Sequence, residues 1–128
     1  WDWFCDRYKP FDGREDALPY DQHMLLAAAA PRRLYIASAR DSGDDPQSEF
    51  LSGLAASPVW RLLGREGLVT PDRYPVPAGD LPSDAVRLHE GEIGYHIRPG
   101  MHFFSRTDWQ YAMDWVSAAM ARESAARL

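Results

Sequence analysis

Leu34-Tyr35-Ile36-Ala37-Ser38-Ala39 runs directly into Arg40-Asp41-Ser42-Gly43-Asp44-Asp45-Pro46, and further on Ile93-Gly94-Tyr95-His96-Ile97-Arg98 runs into Pro99-Gly100-Met101-His102. Each is a short apolar run closed by a polar turn. The first carries few charges and does not alternate, which reads as a strand buried on both faces, the pattern of parallel sheets. Helical signals lie around both. Asp21 is placed to cap a helix through Ala30, favoured by Leu25, Leu26 and the alanines and ended by Pro31. Phe50, Leu51, Leu54 and Ala55 make an apolar stripe on a second helix, and residues 59–63 read as a further short helix ending at Gly64. The last helix is expected to start near Thr107-Asp108, with Thr107 as its N-cap, and to bury Trp109, Ala112, Met113, Val116 and Met120 along one side. Residues 1–20 are aromatic and turn-rich, and the proline-rich stretch 70–84 lacks periodicity and reads as a surface excursion.

The order of helix, strand, loop, helix, strand, loop and helix specifies an α/β fold with a mostly parallel sheet. Two strands alone do not make a stable doubly wound sheet, because each buried face needs neighbours. Residues 1–128 are therefore expected to form the C-terminal part of a single larger α/β domain, with the remaining strands upstream. The opening Trp1-Asp2-Trp3-Phe4 has no initiator Met, basic n-region or signal-like apolar stretch, so targeting gives no compartment. With 45% hydrophobic and 26% charged residues, the 128-residue chain has the composition of one globular unit. A net charge of -5 without any basic cluster argues against a nucleic-acid or anionic-membrane partner. The longest apolar stretch, residues 24–30, is too short to cross a bilayer. The single Cys5 has no partner for an internal disulfide and is expected to be a small buried hydrophobe.

In open α/β sheets the working groups lie just beyond the C-terminal ends of strands. Asp41, Asp44 and Asp45 occupy that position after the first strand, and His102 does so after the second. An acid followed by a histidine, in that chain order, is what an α/β-hydrolase triad requires. The carboxylate holds the imidazole in its tautomer, and the imidazole takes the proton from the nucleophile. Asp41, nearest the strand end, is the candidate acid; Asp45, before Pro46, suits helix capping. An exposed loop histidine and a solvated acidic loop are the bland alternatives. His23 and His96 read as structural, and His89 as a loop residue without a specific role. Without H-x-x-x-H spacing or a cysteine partner, the histidines do not form a metal motif. No serine lies in a G-x-S-x-G elbow: Ser38 falls within a strand and Ser52 on a helix. The nucleophile is expected upstream.

Several separated motifs together resemble the C-terminal region of bacterial glucuronoyl esterases. They are Trp3-Phe4-Cys5, Leu18-Pro19-Tyr20-Asp21-Gln22-His23, Ala30-Pro31-Arg32, Ala37-Ser38-Ala39 followed by Asp45-Pro46 and Glu49-Phe50, and the run from Ile93 to Gly100 followed by His102 and Asp108-Trp109. The resemblance covers nearly the whole chain. It implies an α/β-hydrolase fold, the C-terminal part of a three-layer sandwich, and a serine esterase that cleaves the ester between the glucuronic acid of glucuronoxylan and lignin alcohols. It implies no metal or organic cofactor and a secreted or periplasmic location. By position His102 matches the family's catalytic histidine, and Asp41 matches the acid that many bacterial members carry after the penultimate strand. Other members place a glutamate after an earlier strand. Two departures stand near the site: Gly43 occupies the place of a common tryptophan that lines the sugar pocket, and Phe103 follows the histidine where relatives often have Asp. Losing an aromatic platform weakens stacking on a uronate ring by ~1 kcal/mol.

Three functions follow as expectations. The first is a glucuronoyl esterase, to which this chain contributes the acid and histidine. The second is an esterase of the same fold acting on acetylated polysaccharide or another ester, which Gly43 favours. The third is a non-catalytic hydrolase-like binding module, if no serine is supplied.

Overall fold

The computed structural model describes residues 5–41, 43, 45–71, 82 and 86–126. Two apolar runs become strands at the predicted bounds, β1 (Leu34–Ala39) and β3 (Ile93–Arg98), and they pair in parallel from Leu34↔Ile93 to Ala39↔Arg98. A two-residue strand, β2 (Arg87–Leu88), adds to the other edge of β3 in antiparallel register, giving the order β1-β3-β2. The sequence does not announce β2, because two residues are too few to set a period. All of β3 is buried, as the central strand should be. Only Ser38 and Ala39 of β1 are buried, and Leu34 to Ala37 are partly exposed, so the burial on both faces expected of this strand holds only at its C-terminal end.

Helix α1 (Gln22–Ala27) begins where expected, with the Asp21 side chain accepting from the Gln22 N–H at 2.6 Å, but it stops short of Ala30 and continues as turns through the cis Ala30–Pro31 peptide. Asp45 caps α2 (Pro46–Leu62) by accepting from Ser48 N–H. Here the expected pair of helices is one continuous helix that passes through Pro58 and ends before Gly64, whose φ is +71°. Pro58 costs the helix one backbone bond, yet the surrounding packing keeps it intact. Trp60 is fully buried and donates to Arg32 O at 3.1 Å, while the Ser57 hydroxyl donates to Gly53 O and accepts from Leu68 N–H. The core is built by Phe50, Leu54, Trp60, Ile93, Tyr95 and Ile97, where α2 covers one sheet face.

Helix α3 (Arg106–Ala125) covers the other face, and two expectations fail there. Its N-cap is Ser105 rather than Thr107: the Ser105 hydroxyl accepts from Asp108 N–H while the Asp108 carboxylate accepts from Ser105 N–H, a complete capping box. The buried face is one residue out of phase with the predicted one. Asp108, Trp115 and Ala119 are buried, whereas Trp109, Met113, Val116 and Met120 are exposed and Ala112 lies between. The physical reason is a pair of anchors on the sheet. Trp115 sits against Gly94, where a Cβ would come within 2.8 Å of the indole and 2.5 Å of Tyr35, and its ring N–H donates to Gly91 O. Asp108 is held by β3 side chains. Cys5 also departs from expectation, being exposed and unpaired in the N-terminal turns rather than buried. Most of the proline-rich stretch 70–84, Ser42 and Asp44 lie outside the described residues. Among the described residues, no helix is long and apolar enough to cross a membrane.

Candidate active site

Parallel pairing puts the C-terminal ends of β1 and β3 side by side, so the loops that leave them must meet. The ladder runs past the strand ends: Arg40 N–H donates to Arg98 O at 2.9 Å, and Asp41 N–H donates to Gly100 O at 3.1 Å. The Asp41 carboxylate closes the pair by accepting from Gly100 N–H at 3.0 Å. Gly100 can serve because its φ of +101° lies in the region that L side chains avoid. Asp41 is thus bound to the loop of His102 through the backbone two residues earlier. Both predicted residues are exposed at the same end of the sheet. Asp45 is a helix cap, as its position before Pro46 indicates, and its bonds to Ser48 lower its pKa.

His102 borders a cavity of about 140 Å³ whose wall includes Glu49, Arg98, Phe103, Phe104 and Asp108. Glu49 accepts a hydrogen bond from Ser38, so the Ser38 hydroxyl is occupied as a buried strand donor. Met101, Phe103, Phe104 and Trp109 form an exposed apolar rim beside the histidine, with Phe104 and Trp109 edge-on at 5.0 Å. Gly43, on the facing loop, has a φ of +76° with nothing within 4 Å of where a Cβ would stand. A side chain at this position would be strained by the backbone rather than by its neighbours.

Behind His102 stands a buried polar group that sequence reasoning did not assemble. Arg98 donates from Nε to Asp108 Oδ1 at 2.7 Å, and its terminal nitrogens donate to the carbonyls of Pro99, Met101 and Phe103. Asp108 also receives His96 Nε2 at 2.8 Å and Ser105 N–H. Burial opposes its ionisation, but the bonds from Arg98, Ser105 and His96 outweigh that cost and hold its carboxyl well below the usual carboxylate range. The ionised carboxylate accepts only, which puts the His96 proton on Nε2. His96 Nδ1 then accepts from the Tyr35 hydroxyl at 2.9 Å, and the Tyr35 oxygen accepts from His89 Nε2 at 2.9 Å. Burial lowers the pKa of His96 against the pull of Asp108, and burial together with Arg87 lowers that of His89. Burial and the Asp108 charge raise the Tyr35 pKa, so the phenol keeps its proton. His96 is structural, as predicted. His89, expected to lack a role, ends this chain of hydrogen bonds. Among the described residues, no three His, Cys, Asp or Glu side chains are grouped to hold a metal ion.

The sequence profile described as glucuronyl esterase of fungi matches residues 1–64, half of the chain. A carbohydrate esterase from an unknown prokaryotic organism is 40% identical over 119 residues, covering 92% of this chain and 26% of the relative. The glucuronoyl esterase from Solibacter usitatus superposes with a TM-score of 0.73 at 38% identity, covering 91% of this chain and 28% of that one. A promiscuous CE15 esterase from a marine bacterial metagenome gives 0.75 at 38% identity, covering 90% and 27%. The fold is that of part of an α/β-hydrolase. The chain belongs to the glucuronyl esterase family and spans about a quarter of the length of these relatives.

Proposed function

We propose that this chain supplies the acid and the base of a serine esterase, Asp41 and His102, as the C-terminal part of a single α/β-hydrolase domain. The substrate is the ester between a glucuronic acid of glucuronoxylan and a lignin alcohol. The observation that carries the reading is the Asp41–Gly100 pairing in a member of this family, which binds the acid's loop to the histidine's loop at one end of the sheet. His102 takes the proton from a serine supplied elsewhere in the domain, and the serine oxygen attacks the uronate carbonyl. The imidazolium passes its proton to the departing alcohol. Water, deprotonated by the same imidazole, then releases the uronate. Asp41 fixes the histidine loop and stabilises the imidazolium by its charge. A polymeric cell-wall substrate places the enzyme outside the cytoplasm.

Gly43 favours a second reading, in which the site accepts other esters, because no side chain there can stack on the uronate ring. Turnover of benzyl glucuronate and of acetylated xylan by the full-length protein separates the two. Preference for the uronate ester supports the first reading; equal or faster deacetylation overturns it in favour of the second.

A further inference from the structure

The loop that carries His102 is shaped by a single guanidinium. Arg98 closes β3, and its side chain, 8% exposed, turns back beneath the residues that follow. Nη1 donates to Pro99 O at 3.1 Å and to Met101 O at 3.3 Å, and Nη2 donates to Phe103 O. The last two carbonyls belong to the residues immediately before and after His102. The guanidinium also lies over the Phe103 ring at 4.8 Å. Nε faces the opposite way, onto Asp108 Oδ1 at 2.7 Å, and Asp108 is itself tied to Ser105 and His96. Arginine alone has a rigid planar fork with five donors; lysine offers a single nitrogen that cannot reach the carboxylate and three separate carbonyls together.

We propose that Arg98 is the positioning residue of His102: anchored on Asp108, it holds the carbonyls on both sides of the histidine so that the imidazole is presented to the cleft. The inference rests on His102 being the base. Its geometry also accounts for a buried charge pair that the proposed chemistry does not otherwise use. Buried ion pairs are poor sources of stability, whereas a histidine displaced by about 1 Å costs on the order of 10²-fold in rate.

The test is a double-mutant cycle in the full-length protein on a 4-nitrophenyl uronate ester, with thermal unfolding followed for each variant. Arg98→Lys should lower kcat by about 10- to 100-fold while KM changes by less than about threefold. In the His102→Ala background the same change should leave the residual rate within about twofold, because no base remains to be positioned. Loss of rate by the same factor in both backgrounds would mean general disruption and would overturn the proposal, as would a fully active Arg98→Lys variant. If Arg98→Lys does not fold, Asp108→Asn takes its place: it leaves the three carbonyl bonds but weakens the anchor, and should give a smaller loss that also vanishes without His102. A near-normal His102→Ala enzyme would show that the base is misassigned, an outcome distinct from an inactive His102→Ala beside an active Arg98→Lys.

Discussion

Asp41 and Gly100 hold each other twice: Asp41 N–H donates to Gly100 O, and Gly100 N–H donates to the Asp41 carboxylate. The pair works only while residue 100 keeps its φ of +101°. Gly100→Ala should therefore cost about 1–3 kcal/mol of stability, the range for a side chain forced into a sparsely populated backbone region. It should also lower kcat by moving His102. Urea unfolding and kinetics of the full-length variant check both; an unchanged midpoint would mean that the loop tolerates a side chain there.

Asp41→Asn keeps an acceptor oxygen for Gly100 but removes the charge proposed to stabilise an imidazolium at His102. Turnover of benzyl glucuronate should fall by on the order of 10²–10⁴-fold with little change in stability. A loss of only a few-fold would shift the role of main acid to an upstream carboxylate.

Gly94 lies where Tyr35 and Trp115 converge, and a Cβ there would stand 2.5 Å from one ring and 2.8 Å from the other. Both rings are fixed, Tyr35 by its two histidines and Trp115 by Gly91 O. Gly94→Ala should destabilise the protein by about 1–3 kcal/mol through overpacking. Calorimetry of the variant reads this directly, and an unchanged Tm would show that α3 can slide away from the sheet.

The chain His89–Tyr35–His96–Asp108, half-buried at its first two members and buried at its last two, predicts acid sensitivity. His96 and His89 have folded pKa values below their ordinary 6.5, so near pH 6 the unfolded state binds more protons and stability rises with pH. Their contribution is complete above about pH 6.5 and is lost as pH falls toward the folded values. Asp108 adds a second loss of the same sign below its ordinary value of 3.8. Unfolding free energy should accordingly drop between pH 7.5 and 5.5, and His96→Gln, less stable at pH 7.5, should show a smaller drop. Equal drops in both proteins would remove His96 from the explanation.

The strands β1 and β3 were legible because short runs of largely apolar residues end at Pro, Gly or Asp turns, and their order placed Asp41 and His102 at one end of a sheet. The phase of α3 was not. Trp109, Met113, Val116 and Met120 make as regular a stripe as Tyr111, Trp115 and Ala119, and the choice between them is made by Arg98 and Gly94 on the preceding strand. Arg98 itself read as the polar end of a strand; only the fold reveals that its guanidinium turns inward to meet Asp108. The spacing of Ser105 and Asp108 was the one local sign, since a capping box needs a serine and an acid three residues apart.

His102 is where these relationships converge, and the most direct measurement is turnover of benzyl glucuronate by the full-length His102→Ala variant against the unaltered protein. Loss of kcat by several orders of magnitude, with the unfolding transition preserved, is the expected result. Near-normal turnover would leave the cleft without its base and contradict the assignment.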